Sequence, residues 1–229
     1  MFEVTGLRSG YGQSEVIKSL DLQVGDNETL AIMGRNGMGK TTLFKTLVGL
    51  IDARDGKIVL NGDDLAKEPT HRRVASGLAY VPQGRMIFPS LTVLENISTG
   101  LETVKSKRIP HEIFDLFPVL HDMRHRKGGN LSGGQQQQLS IARALVSNPE
   151  VLLLDEPTEG IQPSIIKDIA KTLNEISEMR KITIVVSEQI LSFTLEIADR
   201  LMVIESGKIV YEAPRSECDA QTISDFLSV

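Results

Sequence analysis

Nine residues, Gly34-Arg35-Asn36-Gly37-Met38-Gly39-Lys40-Thr41-Thr42, bring glycines, a lysine and hydroxyls into one short stretch. Glycine permits positive φ and lets backbone amides approach an anion, and Gly34 followed after four residues by Gly39-Lys40-Thr41 has the spacing of a phosphate-binding loop. The amides, a helix N-terminus and Lys40 would cradle polyphosphate, and the Thr41 hydroxyl suits a magnesium ion shared with the phosphates. Asp155-Glu156 forms a second constellation. One carboxylate can hold magnesium through water while its neighbour polarises an attacking water, as phosphoryl transfer requires; a charged loop start is the plainer alternative.

Three further stretches offer weaker signals. In Leu131-Ser132-Gly133-Gly134-Gln135, serine is a natural N-cap and the glycines leave amides bare at a helix start, which makes a second anion site. Tyr11 lies between Gly10 and Gly12, leaving an aromatic face for a flat ligand such as adenine, or serving simply as a turn tyrosine. Gln83 follows Val81-Pro82, where its amide either meets a ligand or completes a turn. His121 and His125 have the spacing of a metal pair, but their basic neighbours Arg124, Arg126 and Lys127 favour a solvated face.

The elements that must position these residues follow from periodicity. Alternation over 2 to 7 and 16 to 24 predicts two half-exposed strands forming an antiparallel flank. A helix runs from 40 to about 50, closed by Gly49 or by a turn over 52 to 56, and a strand follows at 57 to 60. Thr70 to Ser76 reads as a short helix and 78 to 81 as a buried strand; from about 92 to 125 the pattern is helical. Ser132 opens a long helix that stops near Asn148-Pro149. Val151-Leu152-Leu153-Leu154 is apolar throughout, as a strand covered on both faces requires. Pro163 suits the first turn of a helix whose inner face is Ile165, Ile166, Ile169, Leu173 and Ile176. A strand at 182 to 186 leads into Ser187-Glu188-Gln189, and a helix, two strands around Ser206-Gly207 and a short terminal helix from 219 to 227 complete the chain.

Composition narrows the class. With 229 residues, 41% hydrophobic and 24% charged, the chain suits one sizeable core, and no apolar run approaches the roughly 18–20 residues that span a bilayer. A net charge of −5 argues against a nucleic-acid partner. Cys218 is the single cysteine, so no internal disulfide forms, and the start Met1-Phe2-Glu3-Val4 lacks a secretory pattern, which points to the cytoplasm.

Taken in this order, the stretches resemble the nucleotide-binding subunit of ATP-binding cassette transporters over nearly the whole chain. The resemblance implies an α/β P-loop NTPase fold: a central, mostly parallel sheet flanked by helices, an antiparallel β flank and a helical subdomain. It implies a single domain over 1–229, with 1–84 and 149–229 as the core and about 85–148 as the helical part carrying the signature. ATP and Mg2+ are the implied ligands. Tyr11 and Val16 would meet the adenine side, Gly34 through Thr42 would be the Walker A loop, and Ser132, Gly133, Gly134 and Gln135 the signature that grips the γ-phosphate of a partner. Thr41, Gln83 and Asp155 would attend the magnesium, with Gln83 also facing the permease, and Glu156 would polarise the water.

Two places depart from the family's pattern. Glu159-Gly160-Ile161-Gln162 runs into Pro163 without the usual aspartate, and Glu188 or Gln189 replaces the expected histidine. A carboxylate there repels phosphate unless protonated, turned away or bridged, whereas the Gln189 amide can donate. The departures look like those of the branched-chain amino-acid and urea or amide importers, and the Walker A, Gln83 and glutamine-run segments look most like the urea subunits. The expectation is therefore an ATPase driving urea or short-amide import at the cytoplasmic face of the inner membrane, with branched-chain or other amino acids, or a nucleotide-gated switch with little hydrolysis, as alternatives. Its partners would be a second cassette subunit packed head to tail (a related chain or a second copy), membrane permeases and, indirectly, a solute-binding protein. Met86, Ile87, Phe88 and Pro89 either form a groove for a permease helix or pack into the core.

Overall fold

Phe2, Val4 and Leu7 turn inward from β1 (Phe2–Ser9), and Leu20, Leu22 and Val24 from β2 (Ile17–Val24). The two-residue period belongs to strands with one face in water, and in β1 it slips by one at the irregularity between Val4 and Leu7. The computed structural model describes residues 1–104 and 106–227. After β3 (Thr29–Met33) and α1 (Lys40–Val48), strand β4 (Ala53–Leu60) pairs with β1, and the two residues of β5 (Asp63–Asp64) extend it, giving an antiparallel sheet β2-β1-β4-β5. The turn expected over 52 to 56 is thus strand from Ala53 onward. Gly56, at φ 93°, lies where the β1–β4 register shifts between Thr5 and Arg8, so it marks a bulge and not a chain reversal. Gly49, at φ 82°, closes α1.

Beyond α2 (Thr70–Ala75) and β6 (Leu78–Val81), the helical stretch is broken into α3 (Val93–Thr99), α4 (Glu112–Leu116) and α5 (Pro118–Asp122). Pro118 cannot continue α4, and Phe117 leaves helical geometry at φ −130°. Helix α6 (Gly133–Leu145) follows, ending a little before Asn148-Pro149, and then β7 (Val151–Asp155) and α7 (Pro163–Arg180). The expected inner face of α7 holds at Ile169, Leu173 and Ile176, which are buried, while Ile165 and Ile166 are half-buried. The chain continues through β8 (Thr183–Glu188), α8 (Leu191–Ile197), β9 (Arg200–Glu205), β10 (Lys208–Pro214) and α9 (Ala220–Leu227).

The second sheet has the order β10-β9-β3-β8-β7-β6 and is parallel except for β10. Every residue of β3, β7 and β8 is buried, because helices cover one face and α1 with the antiparallel sheet covers the other. Register sets Met33 opposite Glu188 and Asp155 opposite Ser187, so these three strands end level with one another. In such sheets the carboxyl edge is where ligands bind.

Candidate active site at the carboxyl ends of the parallel strands

The loop from Gly34 to Gly39 joins β3 to α1. Gly39 enters the helix at φ 111°, a conformation other residues rarely adopt, and an added Cβ would lie 3.0 Å from Ile17 Cδ1. Lys40 is buried and its Nζ donates to the carbonyls of Gly34 at 2.5 Å and Arg35 at 3.0 Å, which bends the loop around the ammonium. A cleft of about 300 Å³ opens here, lined by Val16, most of the loop from Arg35 to Thr42, Gln83 and Glu156.

Asp155 ends β7 almost completely buried, with each oxygen engaged. Its Oδ1 accepts from Ser187 Oγ at 2.6 Å and from Thr41 Oγ1 at 3.3 Å, and its Oδ2 accepts from Tyr80 Oη at 3.1 Å. Burial pushes the carboxyl pKa up, and the three hydroxyls pull it back. A threonine hydroxyl against a carboxylate beside a phosphate-type loop is a hard-oxygen donor set, which fits Mg2+.

Glu156 takes φ 47°, strained for a side chain of its size, while its amide donates to Ser187 O at 3.0 Å. Three side chains converge on it. Lys40 Nζ lies 3.0 Å from Oε1, Gln189 Nε2 donates to Oε1 at 2.9 Å, and Gln83 Nε2 donates to Oε2 at 3.1 Å. Gln189 Nε2 also lies 2.9 Å from Asn36 Oδ1 on the loop.

Glu188 is directed elsewhere. Its Oε1 accepts from the Thr158 amide at 3.0 Å and hydroxyl at 2.5 Å, and its Oε2 from the amides of Gln189 at 2.8 Å and Ile190 at 3.3 Å. Burial raises its pKa against the pull of these donors. Of the two candidates for the missing histidine, the structure thus sets Gln189 against Glu156 and gives Glu188 a clasp between the segments following β7 and β8.

Tyr11 and the residues from Ser132 to Gln135 lie outside the cleft's lining, as do Gly34, Met38, Asp155, Glu188 and Gln189. Tyr11 is 52% exposed in the turn after β1. Ser132 caps α6: its Oγ accepts from Gln135 N at 3.3 Å and Gln135 Oε1 accepts from Ser132 N at 3.0 Å, a reciprocal box. Gly133 starts the helix, and Gly134 is required by packing, since a Cβ there would lie 2.4 Å from Ile165 Cγ2.

Sequence reasoning missed Tyr80, Thr158 and Ser187. A tyrosine within the otherwise aliphatic Leu78-Ala79-Tyr80-Val81 was the available signal, because a buried phenol seeks a partner.

The ABC transporter family model matches residues 17–159, from β2 to just beyond Glu156. The chain is 34% identical over 220 residues to the probable branched-chain amino acid transport ATP-binding protein LivF of Archaeoglobus fulgidus, covering 95% of this chain and 93% of that protein. It is 35% identical over 210 residues to the lipopolysaccharide export system ATP-binding protein LptB of Haemophilus influenzae, covering 89% and 86%. A nucleotide-free ATP-binding cassette from an ABC transporter superposes with a TM-score of 0.82 at 25% identity, over 100% of this chain and 95% of that one. The parallel sheet, its antiparallel flank and the phosphate-type loop therefore constitute the P-loop ABC-ATPase fold. ATP and Mg2+ are typical of these ATPases. The chain belongs to the ABC transporter family, as one of its ATP-hydrolysing nucleotide-binding subunits.

Proposed function

We propose that the subunit binds MgATP in the cleft beside Lys40 and uses its hydrolysis to drive import of an amino acid, the branched-chain class first. The convergence of Lys40, Gln83 and Gln189 on the Glu156 carboxylate carries this reading. Thr41 and Asp155 would hold the magnesium, which neutralises phosphate charge. Lys40 and the loop amides would stabilise charge on the γ-phosphate, Glu156 would orient the attacking water, and Gln189 would donate where the family usually has histidine. Tyr11 and Val16 would meet the adenine. Ser132, Gly133, Gly134 and Gln135 lie away from the cleft, which supports their acting on the nucleotide of a second cassette packed head to tail, with the segment 85–148 as the subdomain that carries them.

Docking to permeases is supported by a groove of about 640 Å³, whose walls include Val48, Leu50, Val74, Met86 and Phe88, with Lys45 and Arg143 adding positive charge. Met86 is 66% and Phe88 47% exposed, whereas Ile87 packs inward, so the expected apolar run divides between groove and core. A helix with an apolar face and a carboxylate fits this chemistry. No helix among the described residues is long and apolar enough to cross a membrane. Peripheral attachment at the cytoplasmic face through separate permeases follows from the docking proposal.

The solute reading moves from urea to amino acids. One relative aligned over almost both full lengths is named for branched-chain amino acids, and the Glu188-Gln189 pair resembles that branch as well as the urea one. A strain lacking this subunit should lose labelled leucine uptake and regain it on complementation. Lost urea uptake with intact leucine uptake would overturn the assignment.

A further inference from the structure

Tyr80 occupies the third position of β6, the edge strand of the parallel sheet, and faces two places at once. Its hydroxyl donates to Asp155 Oδ2 at 3.1 Å, while its residue contributes to the wall of the groove beside Pro82, Met86 and Phe88. The opposite oxygen of the carboxylate accepts from Ser187 and Thr41. The phenol and Ser187, bonded to opposite oxygens, thereby hold the plane of the Asp155 carboxylate with one oxygen toward Thr41.

We propose that Tyr80 is a positioning residue for the carboxylate Asp155 and the side chain through which an occupied groove acts on the metal site. Hydrogen-bond partners behind metal-holding groups typically alter metal affinity by about 10–100-fold. A helix seated against Met86 and Phe88 would bear on the Tyr80 ring, and a displacement of about 0.5 Å takes a 3.1 Å hydrogen bond past its useful range. The coupling half rests on the permease docking proposed above; the positioning half does not.

The test uses Tyr80→Phe, which removes one oxygen and keeps the ring. With Mn2+ as the probe in the presence of ATP, electron paramagnetic resonance on the purified subunit should show half-saturation at about tenfold higher metal. Metal-free binding of a fluorescent ATP analogue should match the wild type, and the thermal midpoint should fall only by the few degrees that one lost buried hydrogen bond implies. Unchanged Mn2+ affinity would overturn the positioning role. In the assembled transporter, the ratio of assembled to free ATPase at saturating Mg2+ should fall severalfold, and an undiminished ratio overturns the coupling. Phe88→Asp separates the underlying reading: loss of assembly supports docking, whereas normal assembly removes docking and the coupling with it.

Discussion

Lys40 Nζ stands 3.0 Å from Glu156 Oε1, and both side chains are nearly sealed from solvent. The ammonium that a phosphate-binding loop offers to nucleotide is therefore already paired with the carboxylate that would orient water. A triphosphate entering the cleft would compete with Glu156 for the same charge, which would link nucleotide binding to release of the carboxylate.

Glu156→Gln removes that competitor. We expect ATP to bind at least as tightly as in the wild type, by equilibrium titration, while single-turnover hydrolysis falls on the order of 10²–10⁴-fold. Undiminished hydrolysis would exclude Glu156 as the water-orienting group.

Gln189→Ala deletes a donor to both Glu156 and Asn36. Turnover should drop about 10²–10³-fold with little change in KM for ATP, the typical cost of one lost charge-stabilising donor. Gln189→His, which retains a donor, should keep most of the rate. If histidine instead accelerates a slow wild type strongly, the subunit is a weak nucleotide switch.

Glu188 predicts a pH signature in stability. Its folded pKa is raised by burial above an unfolded value of about 4.3, so its stabilising contribution is complete below that pH and is lost as pH rises through the folded pKa. Urea denaturation from pH 4 to 8 should show the wild type's advantage over Glu188→Gln shrinking with pH and then levelling. The variant should also lose about 1–3 kcal/mol, since its amide nitrogen cannot accept from the backbone of Gln189 and Ile190. Parallel pH profiles would refute the assignment.

Gly134→Ala forces a methyl against Ile165 across the α6–α7 contact. Overpacking should cost about 1–3 kcal/mol, and Ile165→Ala in the same chain should recover part of it, giving a coupling visible in a double-mutant cycle. Additive effects would show that the helices separate to absorb the methyl.

Local chemistry explains why much of this was legible. The glycines before Lys40, the four apolar residues before Asp155, the Ser132 cap and Pro163 each act within a few residues of themselves, so their elements could be read in order. The choice between Glu188 and Gln189 could not, because adjacent residues at a strand's end turn opposite ways and only β8's register against β3 and β7 decides which meets Glu156. Tyr80 was hidden for a similar reason: its partner comes from the neighbouring strand, 75 residues along the chain. Ala53 to Gly56 looked like a turn because a bulge and a turn use the same glycine, and only pairing with β1 separates them. The domain limits and solute reading depended on likeness to other chains.

The level ending of β3, β7 and β8 makes tolerance to insertion strongly directional. One residue added within β7 would exchange the facings of Asp155 and Glu156 and undo both constellations at once. The same residue added among the exposed residues 106 to 108, ahead of α4, would lengthen a connection at a cost of a few tenths of a kcal/mol, with the site unmoved. Tags, reporters and length variation therefore belong in that segment, while the strands act as a fixed ruler for the chemistry at their ends.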